Sequence, residues 1–122
     1  MPSLAELVAG YVQDALNQLP AQYADRIENV EFVVVRRASA GLLRRAGVRR
    51  GSLYGLYEGI PLTQRGSGYT MVPPDKITIF WEPLARDFPD EALAEQVRKT
   101  VYHEIAHYFG ISDHDLRDTS VE

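Results

Sequence analysis

The sequence predicts an α+β fold: a small twisted sheet of about three strands, a backing helix near the N-terminus and a second long helix near the C-terminus. Three observations carry this expectation. Apolar residues recur at helical spacing over 3–19 and again over 90–109. Short runs of β-branched and aromatic residues lie between those stretches, separated by glycine and proline. No internal repeat or low-complexity tract divides the chain.

The first helix rests on Leu4, Leu7, Val8, Tyr11, Val12, Ala15, Leu16 and Leu19, which recur at three- and four-residue steps. Ser3 and Glu6 stand at capping-box spacing ahead of it. Pro20 ends the pattern, because proline cannot donate the backbone hydrogen bond a helix interior needs. A short helical turn through Tyr23 and Ile27 is expected next. Val30–Val35 is a continuous β-branched and aromatic run and is expected to be a buried strand. Ala38–Ala46 reads as a short helix stopped by Gly47. Leu53–Tyr57 is expected to be the second strand. Gly59, Pro61, Gly66, Gly68, Pro73 and Pro74 make 59–75 a long loop, of a length that is often functional in small domains. Lys76–Trp81 is the third expected strand, with Pro83 and Pro89 bracketing a turn after it. Asp90–Phe109 is the longest helix; Leu93, Val97, Val101 and Ile105 form its core stripe, and Gly110 sits where a stop is expected.

Composition bounds the function. A chain of 122 residues fits a single domain spanning 1–122 with one modest core. Its 45% hydrophobic and 25% charged content is that of an ordinary globular protein. The absence of cysteine excludes disulfides, thiolate ligands and a thiol nucleophile, so any metal must be held by nitrogen and oxygen. That absence also fits a reducing cytoplasm, the expected location. A net charge of −4 offers nucleic acid no general attraction. Arg36, Arg37, Arg44, Arg45, Arg49 and Arg50 gather within 36–50; they read as a solvated surface, with a docking patch for an acidic partner as the alternative. No basic start followed by an apolar core marks a signal peptide, and no apolar run approaches the roughly 20 residues that span a bilayer, so no membrane association is expected.

The chemistry concentrates in 100–114, which holds all 3 histidines of the chain. At about 3.6 residues per turn, His103 and His107 fall one above the other on one helix face. Two imidazoles so placed can reach one tetrahedral zinc at about 2.0–2.1 Å. Glu104 follows the first histidine about 100° round the helix, where its carboxylate can reach a water on the metal without ligating. This is the His-Glu-x-x-His arrangement, in which the glutamate is the general base. Gly110 can take the left-handed conformation that turns a chain out of a helix and returns a later residue to the metal. The longer His-Glu-x-x-His-x-x-Gly-x-x-His pattern puts a third ligand at the position of Asp113. A carboxylate is an acceptable zinc ligand, so Asp113 is the expected third ligand and His114, one step on, its rival. Tyr57, Tyr69 and Tyr102 could donate to a developing oxyanion, although each reads first as a packing residue. Asp115 and Asp118 read as a solvated tail.

These residues resemble the small bacterial zincin-like metallopeptidases, a family of little over a hundred residues. The resemblance covers most of the chain and is strongest in Gly55-Leu56-Tyr57-Glu58-Gly59-Ile60-Pro61-Leu62-Thr63-Gln64-Arg65, in Pro74-Asp75-Lys76-Ile77-Thr78-Ile79-Phe80, and in the run from Val97 to Gly110. It implies a minimal zincin-like fold, with a backing helix, a short twisted sheet and a C-terminal active-site helix. It also implies His103 and His107 as zinc ligands and Glu104 as the catalytic glutamate. Two departures from the larger metzincins stand out: aspartate occupies the third-ligand position, and no methionine follows Met71 to form their downstream turn.

The expected activity is zinc-dependent peptide-bond hydrolysis, with one zinc per chain, Glu104 accepting the proton of the attacking water, and a peptide or protein as substrate. The substrate is expected to lie extended along an exposed edge strand, for which Lys76–Trp81 is the candidate, flanked by the 59–75 loop. Two rivals remain. One is a metal-dependent hydrolase of another bond, such as an RNA phosphodiester; a single-metal endoribonuclease family has a related His-x-x-x-His-x-x-Gly pattern but lacks the glutamate. The other is a non-catalytic module whose zinc only stabilises the fold.

Overall fold

The structure is a computed structural model that describes residues 1–45, 53–59 and 74–110. Its elements follow the order α1 (Leu4–Gln18), α2 (Ala21–Ala24), β1 (Val30–Val35), α3 (Ala40–Arg45), β2 (Gly55–Glu58), β3 (Asp75–Phe80), α4 (Trp81–Asp87) and α5 (Asp90–Tyr108). This is an α+β arrangement with a long C-terminal helix.

Local chemistry sets the helix ends. Ser3 caps α1 with a complete capping box: Glu6 N–H donates to Ser3 Oγ at 3.1 Å, and Ser3 N–H donates to Glu6 Oε1 at 3.2 Å. Two donors that a helix start leaves without partners are thereby satisfied. At the far end of α5, Phe109 is the C-cap and Gly110 takes φ +88, the left-handed turn expected of it.

The sheet has the order β1-β3-β2. β1 runs parallel to β3, with Phe32 opposite Ile77 and Val34 opposite Ile79. β2 runs antiparallel to β3, with Gly55 opposite Ile79 and Tyr57 opposite Ile77. Strand β3 is therefore central, which corrects the expectation that Lys76–Trp81 forms an exposed edge. Its burial explains why: Ile77, Thr78, Ile79 and Phe80 are all buried, so both faces are covered. The apolar run of β1, expected to be buried, lies at an edge among the described residues and is only half-buried, with Val35 40% exposed.

Alternate residues of the strands share the face on which the helices pack. Ile77 and Ile79 join Val8, Val12 and Ala15 of α1, Leu84 of α4, and Leu93, Val97, Val101 and Ile105 of α5 in one core. All four residues of the expected α5 stripe are buried. Burying an aliphatic side chain of this kind is worth roughly 1.5–3 kcal/mol, so α5 is held along its whole length. The N-terminal leucines of α1 contribute less, since Leu4 and Leu7 remain 43% and 36% exposed.

Several boundaries shift. The second strand starts at Gly55 rather than Leu53, the third helix at Ala40 rather than Ala38, and Asp75 belongs to β3 rather than to the preceding loop. The turn expected between Pro83 and Pro89 is the helix α4, opened by Trp81. Pro83 fits there because the first turn of a helix has no use for its N–H groups within the helix. Gly47 and most of the 59–75 loop lie outside the described residues. Among the described residues no helix is long and apolar enough to cross a membrane.

Candidate metal centre

His103 and His107 stand on the half-buried face of α5, opposite the flank that carries Val101 and Ile105. Their Nε2 atoms are 3.2 Å apart and their rings meet at 78° with centroids 4.8 Å apart. Two nitrogens bound to one zinc at about 2.0–2.1 Å with tetrahedral geometry are separated by about 3.3–3.4 Å. The observed spacing therefore fits one shared ion as the side chains stand. Ligand-capable atoms of His103, Glu104 and His107 all lie within 4.8 Å of one another. Imidazole nitrogen and carboxylate oxygen are the donor set that zinc takes in a site without cysteine.

Glu104 is only 7% exposed. Its burial follows from the residue facing it across the helix–sheet contact. A β-carbon at Gly55 would lie 3.2 Å from Glu104 Cγ and 2.8 Å from Thr100 Cγ2. With glycine there, β2 approaches α5 closely enough for the glutamate to lie against the strand. Thr100 is fixed in that position because its hydroxyl donates to the Gln96 carbonyl at 2.8 Å, which turns its methyl group to the strand. Beside Glu104 opens a recess of about 410 Å³ lined by Leu53, Tyr54, Gly55, Gln96, Lys99, Thr100, His103 and Glu104.

The recess wall is braced from outside. Tyr54 donates its hydroxyl to Asp87 Oδ2 at 2.5 Å, and Arg86 Nε donates to Asp87 Oδ1 at 2.7 Å. The Arg86 guanidinium, and then the Tyr54 hydroxyl, hold the Asp87 carboxyl down to about 2. The same hydrogen bond to Asp87 raises the Tyr54 phenol above its ordinary value.

A second polar cluster anchors the C-terminal end of α5. Tyr108 is buried; its hydroxyl accepts the Glu28 N–H at 3.2 Å and donates toward the Arg26 and Glu28 carbonyls at 3.3 Å. Its ring meets Tyr57 edge-on at 6.2 Å. Tyr57 in turn donates to the buried Asp75 carboxylate at 2.7 Å. That carboxylate fills the space over Gly59, where an added β-carbon would stand 2.4 Å from Asp75 Cγ. The helix turn that carries His107 is thus tied to the entry of β1 and, through Tyr57, to the exit of β2.

Of the residues singled out in the sequence, the structure brings together His103, Glu104 and His107. Asp113, His114, Asp115, Asp118 and Tyr69 lie outside the described residues. Two of the three tyrosines named as oxyanion donors are engaged elsewhere: Tyr102 donates to the Ala15 carbonyl at 3.0 Å, and Tyr57 donates to Asp75. Arg36 forms an ion pair with Glu82, and Arg37 lies 3.7 Å from the same carboxylate, so this end of the arginine-rich segment faces an internal acid. Gly55, Asp75 and Tyr108 were not singled out as functional. Glycine inside a strand pattern is a signal of close backbone approach, and it could have flagged Gly55. Nothing local could pair Asp75 with Tyr57.

A family model described as zincin-like metallopeptidase matches residues 27–121. No curated protein matches the chain.

Proposed function

The chain belongs to the zincin-like metallopeptidase family, and from that premise we propose that it hydrolyses peptide bonds using one zinc ion per chain. His103 and His107 hold the ion, Asp113 is the third ligand with His114 as its rival, and Glu104 is the general base. The observation that carries this reading is the 3.2 Å separation of the two Nε2 atoms with the Glu104 carboxylate alongside. Zinc at this place supplies a Lewis acid that lowers the pKa of water and polarises the scissile carbonyl.

The chain's own residues do the rest. Glu104 takes one proton from the attacking water as its oxygen bonds to the carbonyl carbon. The same carboxyl then delivers that proton to the amide nitrogen as the C–N bond breaks. The missing side chain at Gly55 leaves the room in which Glu104 lies against β2, and this packing limits the rotamers open to its carboxylate. The substrate strand pairs with β2 rather than β3, because β2 is the sheet edge beside Glu104 among the described residues.

The test is hydrolysis of a broad peptide mixture by the zinc-loaded protein and by its Glu104→Gln variant. Cleavage by the first and its loss in the second, with zinc retained in both, is the expected result. No cleavage by zinc-loaded wild type, or equal turnover by the variant, overturns the proposal.

A further inference from the structure

The recess beside Glu104 carries more chemistry than hydrolysis uses. Gly55 is buried at its base, and Leu53, the Tyr54 ring and the Thr100 methyl group provide apolar wall. The hydroxyls in that wall are already committed, Thr100 to the Gln96 carbonyl and Tyr54 to Asp87. Among the described residues, the remaining side-chain donors, apart from His103, are the Gln96 amide and the Lys99 ammonium. They stand three residues apart on α5 and are therefore neighbours on its surface. Lys99 attracts Glu95, but the Glu95 carboxylate is bound by the Arg98 guanidinium. Among the described residues, Lys99 is the one lysine or arginine lining the recess and Glu104 is the one carboxylate, with Oε2 3.4 Å from where a β-carbon on Gly55 would stand. Asp87, behind Tyr54, is matched by Arg86. Among the described residues, the exposed Lys99 side of the recess is therefore positive and rich in donors, with apolar wall at Leu53, Tyr54 and Thr100 and the Glu104 carboxylate buried beside Gly55.

We propose that this recess takes a side chain flanking the scissile bond and selects an acidic one, glutamate ahead of aspartate, with Lys99 and Gln96 as specificity-determining residues. The proposal rests on the peptidase reading above. A glutamate side chain places its methylenes on Leu53, Tyr54 and the Thr100 methyl and its carboxylate between the Lys99 ammonium and the Gln96 amide. Aspartate is one methylene short of that reach. Lysine and arginine bring like charge to Lys99. Because Lys99 is exposed, the discrimination is that of a surface ion pair, about fivefold. Salt screens it.

The experiment uses a peptide set that differs only at the residue flanking the cleaved bond: glutamate, aspartate, glutamine, leucine or lysine, with aspartate expected below glutamate. Cleavage efficiency is measured with zinc-loaded protein, and affinity for the same peptides is measured by fluorescence anisotropy with zinc-free protein. The glutamate peptide is expected to exceed the lysine peptide about fivefold at low salt in both, with the difference shrinking at high salt. Lys99→Gln should level the two, and Lys99→Glu should invert their order, with unfolding curves matching wild type. Equal ranking of the peptides in wild type, or a glutamate preference that survives Lys99→Glu, overturns the assignment. Ranked binding without cleavage of any peptide sinks the peptidase reading and leaves the recess selective. Cleavage without ranking does the reverse, and neither binding nor cleavage sinks both.

Discussion

Gly55 and Glu104 touch across the contact between β2 and α5 so closely that a β-carbon on the first would stand 3.2 Å from Cγ of the second. The same added atom would meet Thr100 Cγ2 at 2.8 Å, closer than packed carbons approach. Gly55→Ala should therefore force the strand away from the helix or turn Thr100 out of its hydrogen bond with Gln96. Overpacking of this kind costs about 1–3 kcal/mol. Urea unfolding measures the loss. Thr100→Ser removes the clashing methyl group and keeps the hydroxyl, so the double variant should recover part of the stability lost by Gly55→Ala. Strictly additive losses would show that the clash is relieved elsewhere.

Zinc should bind at about one ion per chain, and His103→Ala or His107→Ala should abolish stoichiometric binding, because the remaining ligands make an inadequate site. Metal analysis after dialysis reads this directly. Retention of one zinc by both variants would remove the two histidines from the site.

The third ligand distinguishes the minimal pattern from the longer one. Asp113→Ala should weaken zinc binding by far more than His114→Ala does, and a metal-bound structure should place a carboxylate oxygen at about 2.0–2.2 Å from the ion. If the histidine variant loses the metal and the aspartate variant keeps it, the carboxylate assignment is wrong.

Asp87 gives the fold a pH dependence of known sign. Its carboxyl titrates at about 2 in the folded chain, below its ordinary 3.8, chiefly because Arg86 and then Tyr54 bond to the ionised form. A depressed folded pKa contributes stability that is fully present above the unfolded value. That contribution is lost as pH falls through the folded value, so its window is about pH 4 down to about 2. Relative to wild type, Asp87→Asn should be less stable at pH 6, and the gap should close across that window. A gap that stays constant from pH 6 to pH 2 would mean the pairing does not stabilise the fold.

The sequence is most legible where a single element decides the answer. The α5 stripe of Leu93, Val97, Val101 and Ile105 was legible because helical periodicity is local, and all four are buried. The His103–His107 stacking was legible for the same reason, and the rings do meet. What failed to read was pairing between distant segments. Val30–Val35 and Lys76–Trp81 are both rich in β-branched and aromatic residues, and nothing in either tells which is central; that depends on β2 closing the far side of β3. The Pro83 turn misled because proline marks a helix start as well as a break. Burial of Glu104 depends on Gly55, and Asp75 depends on Tyr57 from another strand, so neither was visible from its own neighbourhood.

The packing of Asp75 against Gly59 has an architectural consequence. Gly59 follows the last residue of β2 and Asp75 is the first of β3, and their contact works as a clasp between the two strands. The clasp pins the exit of β2 to the first residue of β3, so the register of this antiparallel pair is held at its end as well as along its ladder. Replacing Gly59 by any residue with a β-carbon would prise the clasp open and loosen the β2–β3 pair from this end.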